Sequence, residues 1–267
     1  MRNIDKIPIP TKGINSKLFN TILAIIILSG IPLASYGQIQ DLQFYGRLDY
    51  SLTSSKSGSA THNGTPGKTF ENNFTRLGIR GTQALNPQWS FFYRVEVGVQ
   101  AEDQDNGKTP FTSRPTYVGI AGPYGRLAIG RIDPVFKMAK GFVDAFDNYS
   151  TKHDRLMAGD KRHGDSVEIW SPSWQEFRAG VSLLLEDEYY SPNDPRRDNG
   201  NFQLSITSGD KFFTHGNLYF AVAYSDGIED IQALRFVLQM KTGQWTFGGL
   251  AQTTKQVNPN DTCRAGF

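Results

Sequence analysis

Trp89-Ser90-Phe91-Phe92-Tyr93-Arg94-Val95-Glu96-Val97-Gly98-Val99-Gln100 is the stretch that decides the fold. Trp89, Phe91, Tyr93, Val95, Val97 and Val99 fall on one side of an extended chain, and Ser90, Phe92, Arg94, Glu96, Gly98 and Gln100 fall on the other. A period of two sustained for this length belongs to a β-strand between two different surroundings. The length matters as much as the period, because a tilted strand needs roughly 9–11 residues to cross a bilayer. A soluble β-sandwich has two-faced strands as well, but they usually run to about 5–6 residues. The pattern therefore predicts an all-β fold, an antiparallel transmembrane β-barrel with an aqueous interior.

Working outward, the same alternation returns. Leu42, Phe44, Leu48, Tyr50 and Leu52 oppose Gln43, Tyr45, Arg47, Asp49 and Ser51. Phe177, Ala179, Val181, Leu183 and Leu185 oppose Arg178, Gly180, Ser182, Leu184 and Glu186, and further sets begin at Phe202, Leu218, Leu234 and Trp245. From Asp41 to Thr254 the pattern predicts about eleven strands. Short connections carry turn chemistry, as at Asn86-Pro87, Gly122-Pro123-Tyr124-Gly125 and Thr242-Gly243. They alternate with long polar ones, Ser54 to Thr69, Glu102 to Thr112 and Glu186 to Gly200, as in outer-membrane barrels. An apolar content of 38% fits a wall that keeps half of each strand polar. The longest gap lies between Arg126–Gly130 and the strand expected near Asp165, and gaps of that kind are usually functional.

Residues 1–37 read as a cleaved secretory signal peptide. Arg2, Lys6, Lys12 and Lys17 make a basic start, Ile22 to Leu28 is an apolar core too short to span a bilayer, and Ser35 and Gly37 precede a cleavage site before Gln38. This leader also explains the net charge of +2: its four bases and one acid account for +3, leaving −1 on residues 38–267. The positive balance is thus no argument for a nucleic-acid partner. Cys263, the single cysteine, can form neither an internal disulfide nor a cysteine-rich metal site.

Several landmarks in order resemble the general porins of Gram-negative bacteria. They are Phe44-Tyr45-Gly46-Arg47, Thr75-Arg76-Leu77-Gly78-Ile79-Arg80-Gly81, Arg114 with Tyr117-Val118-Gly119-Ile120, Gly125 to Arg131, Asp133-Pro134-Val135-Phe136, and Arg162 ahead of Asp165 to Pro172. The likeness runs from about Leu42 to Leu185 and then weakens. It implies a sixteen-stranded barrel assembled as a homotrimer in outer-membrane lipid. It also implies a third loop, here 132–161, that folds inward and narrows the pore. Arg47, Arg76, Arg114 and Arg162 would then line the constriction opposite Asp133, Asp144 and Asp147 on that loop. Residues 38–267 would be the barrel domain. With eleven strands against the implied sixteen, and no strand pattern from Val257 to Cys263, the sequence reads as C-terminally truncated. An unclosed edge in lipid would cost several kcal/mol per unsatisfied group.

Arginines stay charged at any relevant pH, and rings of charge in a narrow pore bias which ions pass. Arg47, Arg76, Arg114 and Arg162 are read with the polar parity of their strands. Arg80, Arg94, Arg178 and Arg235 share it and read as solvated wall; Trp89, Tyr124 and Trp174 suit an interfacial girdle. The sequence has no H-E-x-x-H, G-x-S-x-G, P-loop or EF-hand pattern, and its four histidines lack metal-ligand spacing. The expectation is passive diffusion of small hydrophilic solutes and ions, with no catalytic residue, metal or cofactor. A barrel lipase or protease and a secreted β-rich adhesion protein are the rival readings.

Overall fold

The computed structural model describes residues 41–62, 64–100, 109–146, 149, 152–185 and 201–256; the expected leader lies outside them. The strands are β1 Gln43–Arg47, β2 Tyr50–Ser55, β3 Gly67–Asn72, β4 Arg76–Ala84, β5 Ser90–Val99, β6 Phe111–Gly122, β7 Gly125–Arg131, β8 Ser166–Trp170, β9 Phe177–Leu184, β10 Asn201–Gly209, β11 Leu218–Asp226, β12 Ile231–Thr242 and β13 Trp245–Gln256. Eleven of them form one sheet in the order β1-β4-β5-β6-β7-β8-β9-β10-β11-β12-β13, every pair antiparallel. In that order β1 and β13 each have one strand neighbour. β2 and β3 form a separate hairpin.

The strand expected from Leu42 to Leu52 is split. The backbone N–H of Asp49 leaves the ladder and donates to Thr75 Oγ1 (3.0 Å), while Asn73 N–H donates to the Asp49 carbonyl (2.8 Å). The chain bends there, and β2 and β3 continue as a projection beyond the main sheet's first pair.

Register turns the alternating sequence into two surfaces. Phe91, Ile120, Leu127, Ile169, Val181, Leu204, Tyr224 and Leu234 are successive partners across β5 to β12 and form one apolar row. Many side chains on this face are exposed, including Phe44 at 78%, Val118, Ile129, Ile206 and Leu238. A contiguous apolar surface of this extent calls for a nonaqueous neighbour. The other face is polar, with Glu168, Ser182, Gln203 and Ser225 in adjacent positions on β8 to β11. Short turns gather at one end of the sheet, where Trp89, Tyr124, Trp174 and Trp245 sit; Trp89 and Tyr124 are in tilted contact at 6.3 Å. Trp and Tyr favour such an interfacial level because one end of the ring system is apolar and the other can meet water.

The long β7–β8 connection carries helix α1 (Val135–Met138) and a 3-10 turn at His153–Arg155. It folds onto the polar face of β9 to β11. There the sheet offers Ala221, Ala223, Ala233 and Val237 instead of polar side chains, and Phe136 and Ala139 pack into the recess. Small apolar residues on an otherwise polar face are explained by this covering.

The two faces make a direct prediction. Leu204→Arg, in the middle of the apolar row, should lower stability in phospholipid by about 2–4 kcal/mol, the cost of a cation at mid-membrane on a barrel's lipid side. Thr82→Arg, exposed on the polar face, should cost far less. Urea unfolding in lipid vesicles compares the two, and equal losses would mean that the faces are misassigned.

Candidate functional site

The polar face of β1, β4, β5 and β6 concentrates arginine. Register sets Arg47 opposite Arg76, and Arg80 between Gln43 and Arg94. Guanidinium groups this close repel unless an anion lies among them. Glu96 is that anion. Arg94 Nη2 and Arg114 Nε each lie 2.5 Å from its carboxylate, Arg76 Nε lies at 3.5 Å, and its side chain is fully buried. Tyr45 Oη donates to Glu96 (2.7 Å) and accepts from Arg94 Nε (2.8 Å). The Phe74 ring fixes the cluster from another side, with the Arg76 and Arg114 guanidinium carbons 4.3 and 4.1 Å from its centroid and Arg47 at 5.9 Å. Arg47 is balanced separately by Asp49 at 2.5 Å. Tyr45 can lie this low because its neighbour is Gly78, where a Cβ would stand 2.6 Å from the tyrosine ring. The result is a rigid positive patch with one buried negative hub.

The polar parity expected of Arg114 does not come from alternation, a correction to the sequence reading: strict alternation along β6 would set it with Val118 and Ile120 on the apolar face. Opposite Glu96 the register slips, so that Val95 faces Thr116 but Val97 faces Ser113. This bulge gives β6 one extra residue and switches its parity. Arg114 thereby joins the arginine cluster. The bulge contains Pro115, which has no N–H to leave unpaired.

The other expected site residues are placed differently. Arg162 lies in irregular chain before β8 and bonds Asp133, away from the Glu96 cluster; without strand geometry it has no strand parity, a correction to the sequence reading. Asp133 also binds Lys137 at 2.7 Å. Asp144 turns into its own segment, with His153 Nδ1 2.8 Å from its carboxylate and its side chain nearly buried, so it does not face open solvent as a lining residue would. Asp147 is outside the described residues. Two residues read as solvated wall are nothing of the kind. Arg94 belongs to the Glu96 cluster, and Arg235 is completely buried. Arg80 comes closer to that reading, exposed over the Tyr45 ring and bonded to Gln43.

Arg235 bolts the β7–β8 segment to the sheet. Its Nη1 donates to Asp160 (2.7 Å) and to the Phe136 carbonyl (3.1 Å), and its guanidinium lies 4.1 Å from the Phe136 ring centroid. His153 Nε2 is 2.8 Å from Asp160, which links the Asp144–His153 pair to the same anchor. Further ties run from Val135 N–H to Ser182 Oγ, Phe142 N–H to Gln239 Oε1, Tyr219 Oη to the Ala139 carbonyl and Gln252 Nε2 to the Ala158 carbonyl, all 2.9–3.1 Å. Arg155 reaches the other way and donates to the carbonyls of Ser59, Thr61 and His62 at the tip of the β2–β3 hairpin (3.0–3.3 Å). Burial alone would raise the Asp160 carboxyl. Its bond with His153 and the charges of Arg235 and Lys140 outweigh that and hold it far below the usual carboxylate range. Asp144 is held down in the same sense by His153.

A meander of long antiparallel strands, apolar on one face and polar on the other, with short turns at one end and a long segment folded onto the polar face, is the wall of an outer-membrane β-barrel. The model of the Gram-negative porin family matches residues 21–265, and the chain belongs to that family as an outer-membrane protein. It is 24% identical over 187 residues to the major outer membrane protein P.IA of Neisseria meningitidis serogroup B, covering 61% of this chain and 46% of that one. It is 23% identical over 207 residues to the P.IB protein of the same species, covering 74% and 58%. The chain thus spans about half the length of the curated relatives it matches. Among solved structures it resembles an anion-selective porin from Comamonas acidovorans (TM-score 0.58, 16% identity, 80% of this chain and 67% of that one). A Salmonella typhi OmpF complex with daunomycin gives the same TM-score at 12% identity, covering 80% and 66%.

Asp160→Asn should cost about 3–5 kcal/mol, because it strands the buried Arg235 charge, and should open the 133–160 segment to protease. Replacing Arg235 and Asp160 together with Met and Leu should recover most of that loss. Because the folded Asp160 carboxyl is depressed, its contribution is complete above the unfolded value of about 3.9 and fades as pH falls further through the folded value. Urea unfolding from about pH 7 to pH 2 checks the sign: wild type should lose its advantage over Asp160→Asn on the acid side.

Proposed function

We propose that this chain forms the wall of a water-filled outer-membrane channel through which small hydrophilic solutes and ions diffuse passively. The carrying observation is the long 132–161 segment fastened to the polar face by the buried Arg235–Asp160 pair. A segment held this firmly against a wetted face narrows the path beside it, so it serves as the constriction. Arg47, Arg76, Arg94 and Arg114 form the basic side of that constriction, and Asp133 with Arg162 lies at the root of the segment. Four guanidiniums against the buried Glu96 and the paired Asp49 favour anion passage, as in the anion-selective porin from Comamonas acidovorans. Low-dielectric walls focus such a field. Residues 1–37 act as the export signal, and the apolar face meets lipid and, in a homotrimer, neighbouring copies.

A channel needs no nucleophile, metal or cofactor, and this reading assigns none. A barrel hydrolase would require a nucleophile with a base and an orienting partner on the wall. The cluster around Glu96 is instead a closed set of ion pairs.

Reversal potentials across a planar bilayer test the proposal. Replacing Arg76 and Arg114 together with Ala should move selectivity toward cations. The shift should be larger in dilute salt, since the Debye length falls from about 10 Å at 0.1 M to about 3 Å at 1 M. A folded double variant with unchanged reversal potential at low salt would remove these arginines from the ion path.

A further inference from the structure

Beside the β7–β8 segment lies a second feature that the channel reading does not use. A cavity of about 380 Å³ opens on the polar face between β7 to β10, the root of α1 and the turn around Asp210. Its charged lining is mixed: Arg94, Arg126, Arg178 and Lys211 against Asp133, Glu168, Glu176 and Asp210. Several of these are already engaged. Arg94 serves Glu96, Asp133 serves Arg162 and Lys137, and Asp210 caps its own turn by accepting from Phe212 and Thr214 N–H.

Lys211 lies over the Phe142 and Phe212 rings at 5.7 and 5.3 Å, and Glu176 is exposed. Two groups on the neighbouring strands β7 and β8 each keep a buried, unpaired atom. Arg126 lies over the Phe92 ring at 4.3 Å, and its buried Nε has no hydrogen-bond partner among the described residues. Glu168 is buried, and its Oε2 has no hydrogen-bond partner among the described residues. They are the two buried, unpartnered side-chain atoms in the described lining of this cavity, one a guanidinium N–H donor and one a carboxyl oxygen. In the register Arg126 faces Trp170, and Glu168 faces Ala128, so the two are diagonal neighbours. They form no ion pair with one another among the described contacts. Trp170, opposite Arg126 and two residues beyond Glu168 on β8, lies over Gly180, where a Cβ would be 2.7 Å from the indole. The Arg178 guanidinium lies 4.9 Å from the Trp170 ring centroid, and its Nε donates to the Ser171 carbonyl (3.2 Å).

Unmet hydrogen-bonding capacity on buried charged groups is costly, and a ligand that supplies both missing partners recovers it. A simple anion would satisfy Arg126 but would bring a like charge up to Glu168. A simple cation would do the reverse. We infer that this cavity is a binding site for small zwitterionic solutes of the α-amino acid type. The carboxylate is held by Arg126 beside Arg178, the ammonium by Glu168 Oε2, and a short side chain lies against Trp170. The inference rests on the reading of this face as the wall of an aqueous pore, and it gives that pore a binding step for dipolar solutes.

Trp170 reports on the site. In a Trp89→Phe, Trp174→Phe, Trp245→Phe background, the folded chain in detergent micelles is titrated with alanine, propionate and ethylammonium. Alanine should change Trp170 emission saturably. Propionate and ethylammonium should bind at least about tenfold more weakly, the worth of one charge-assisted hydrogen bond. Glu168→Gln should abolish the preference for alanine over propionate, and Arg126→Gln should abolish both responses. Equal binding of alanine and propionate would overturn the zwitterion assignment in favour of a plain anion site. No saturable response to any of the three would overturn the site itself. The three-solute comparison needs neither charge variant, so a variant that fails to fold leaves the test intact. Bilayer conductance of the same preparation separates the two readings: conductance without saturation refutes the site alone, and saturation without conductance refutes the channel alone.

Discussion

In hydrocarbon an amide N–H or carbonyl has no water to turn to, and leaving one unpaired costs several kcal/mol. That constraint governs most of this molecule. It calls for continuous ladders, and β5, β6, β12 and β13 are long enough to cross a bilayer. It confines irregular backbone to the ends of strands or to the polar face. The bulge opposite Glu96 and the break at Asp49 both lie toward the end that carries the long connections, and both have replacement bonds or a proline with no donor to lose. With the backbone satisfied internally, side chains are free to differ by face, and the apolar row from Phe91 to Leu234 can coexist with charge on the reverse side of the same strands.

On the polar face the governing quantity is the cost of holding like charges together. The Glu96 cluster keeps several guanidiniums within reach of one carboxylate, with Phe74 and Tyr45 limiting their motion. The Arg235–Asp160 pair does something different. It is buried, so its contribution to net stability is small compared with the penalty for breaking it. Such a pair fixes where a segment sits more than it deepens the folded well.

The sheet was legible because its signal is simple. A period of two over crossing length, with short turns alternating with long polar gaps, specifies strands, faces and connection ends together. The main sheet holds eleven strands, but the separate β2–β3 hairpin brings the total to thirteen among the described residues against the eleven or so expected; the position of the inserted segment after Arg131 was visible as the longest gap. The site was legible only where it followed that period, at Arg47 and Arg76. Arg114 reached its face through a bulge that alternation cannot reveal, and Arg162 lies outside any strand. Asp144 carried the right charge in the right segment, but its partner, His153, closes a contact within an irregular loop. The burial of Arg235 depended on a segment about a hundred positions earlier in the chain. One signal was available and unread: Ala221, Ala223 and Ala233 occupy polar-face positions, and a run of small apolar residues there means that something covers them.

The manner in which Arg155 holds the β2–β3 hairpin has a consequence for sequence drift. Its three acceptors, in Ser59, Thr61 and His62, are all main-chain carbonyls. The grip depends on the path of the backbone at the tip and not on which side chains decorate it. Substitutions at Ser59 or His62 can therefore accumulate while the attachment persists, whereas a change at Arg155, or an insertion that moves those carbonyls, would release the hairpin at one stroke. The molecule has separated the part of this projection that can vary from the part that keeps it in place.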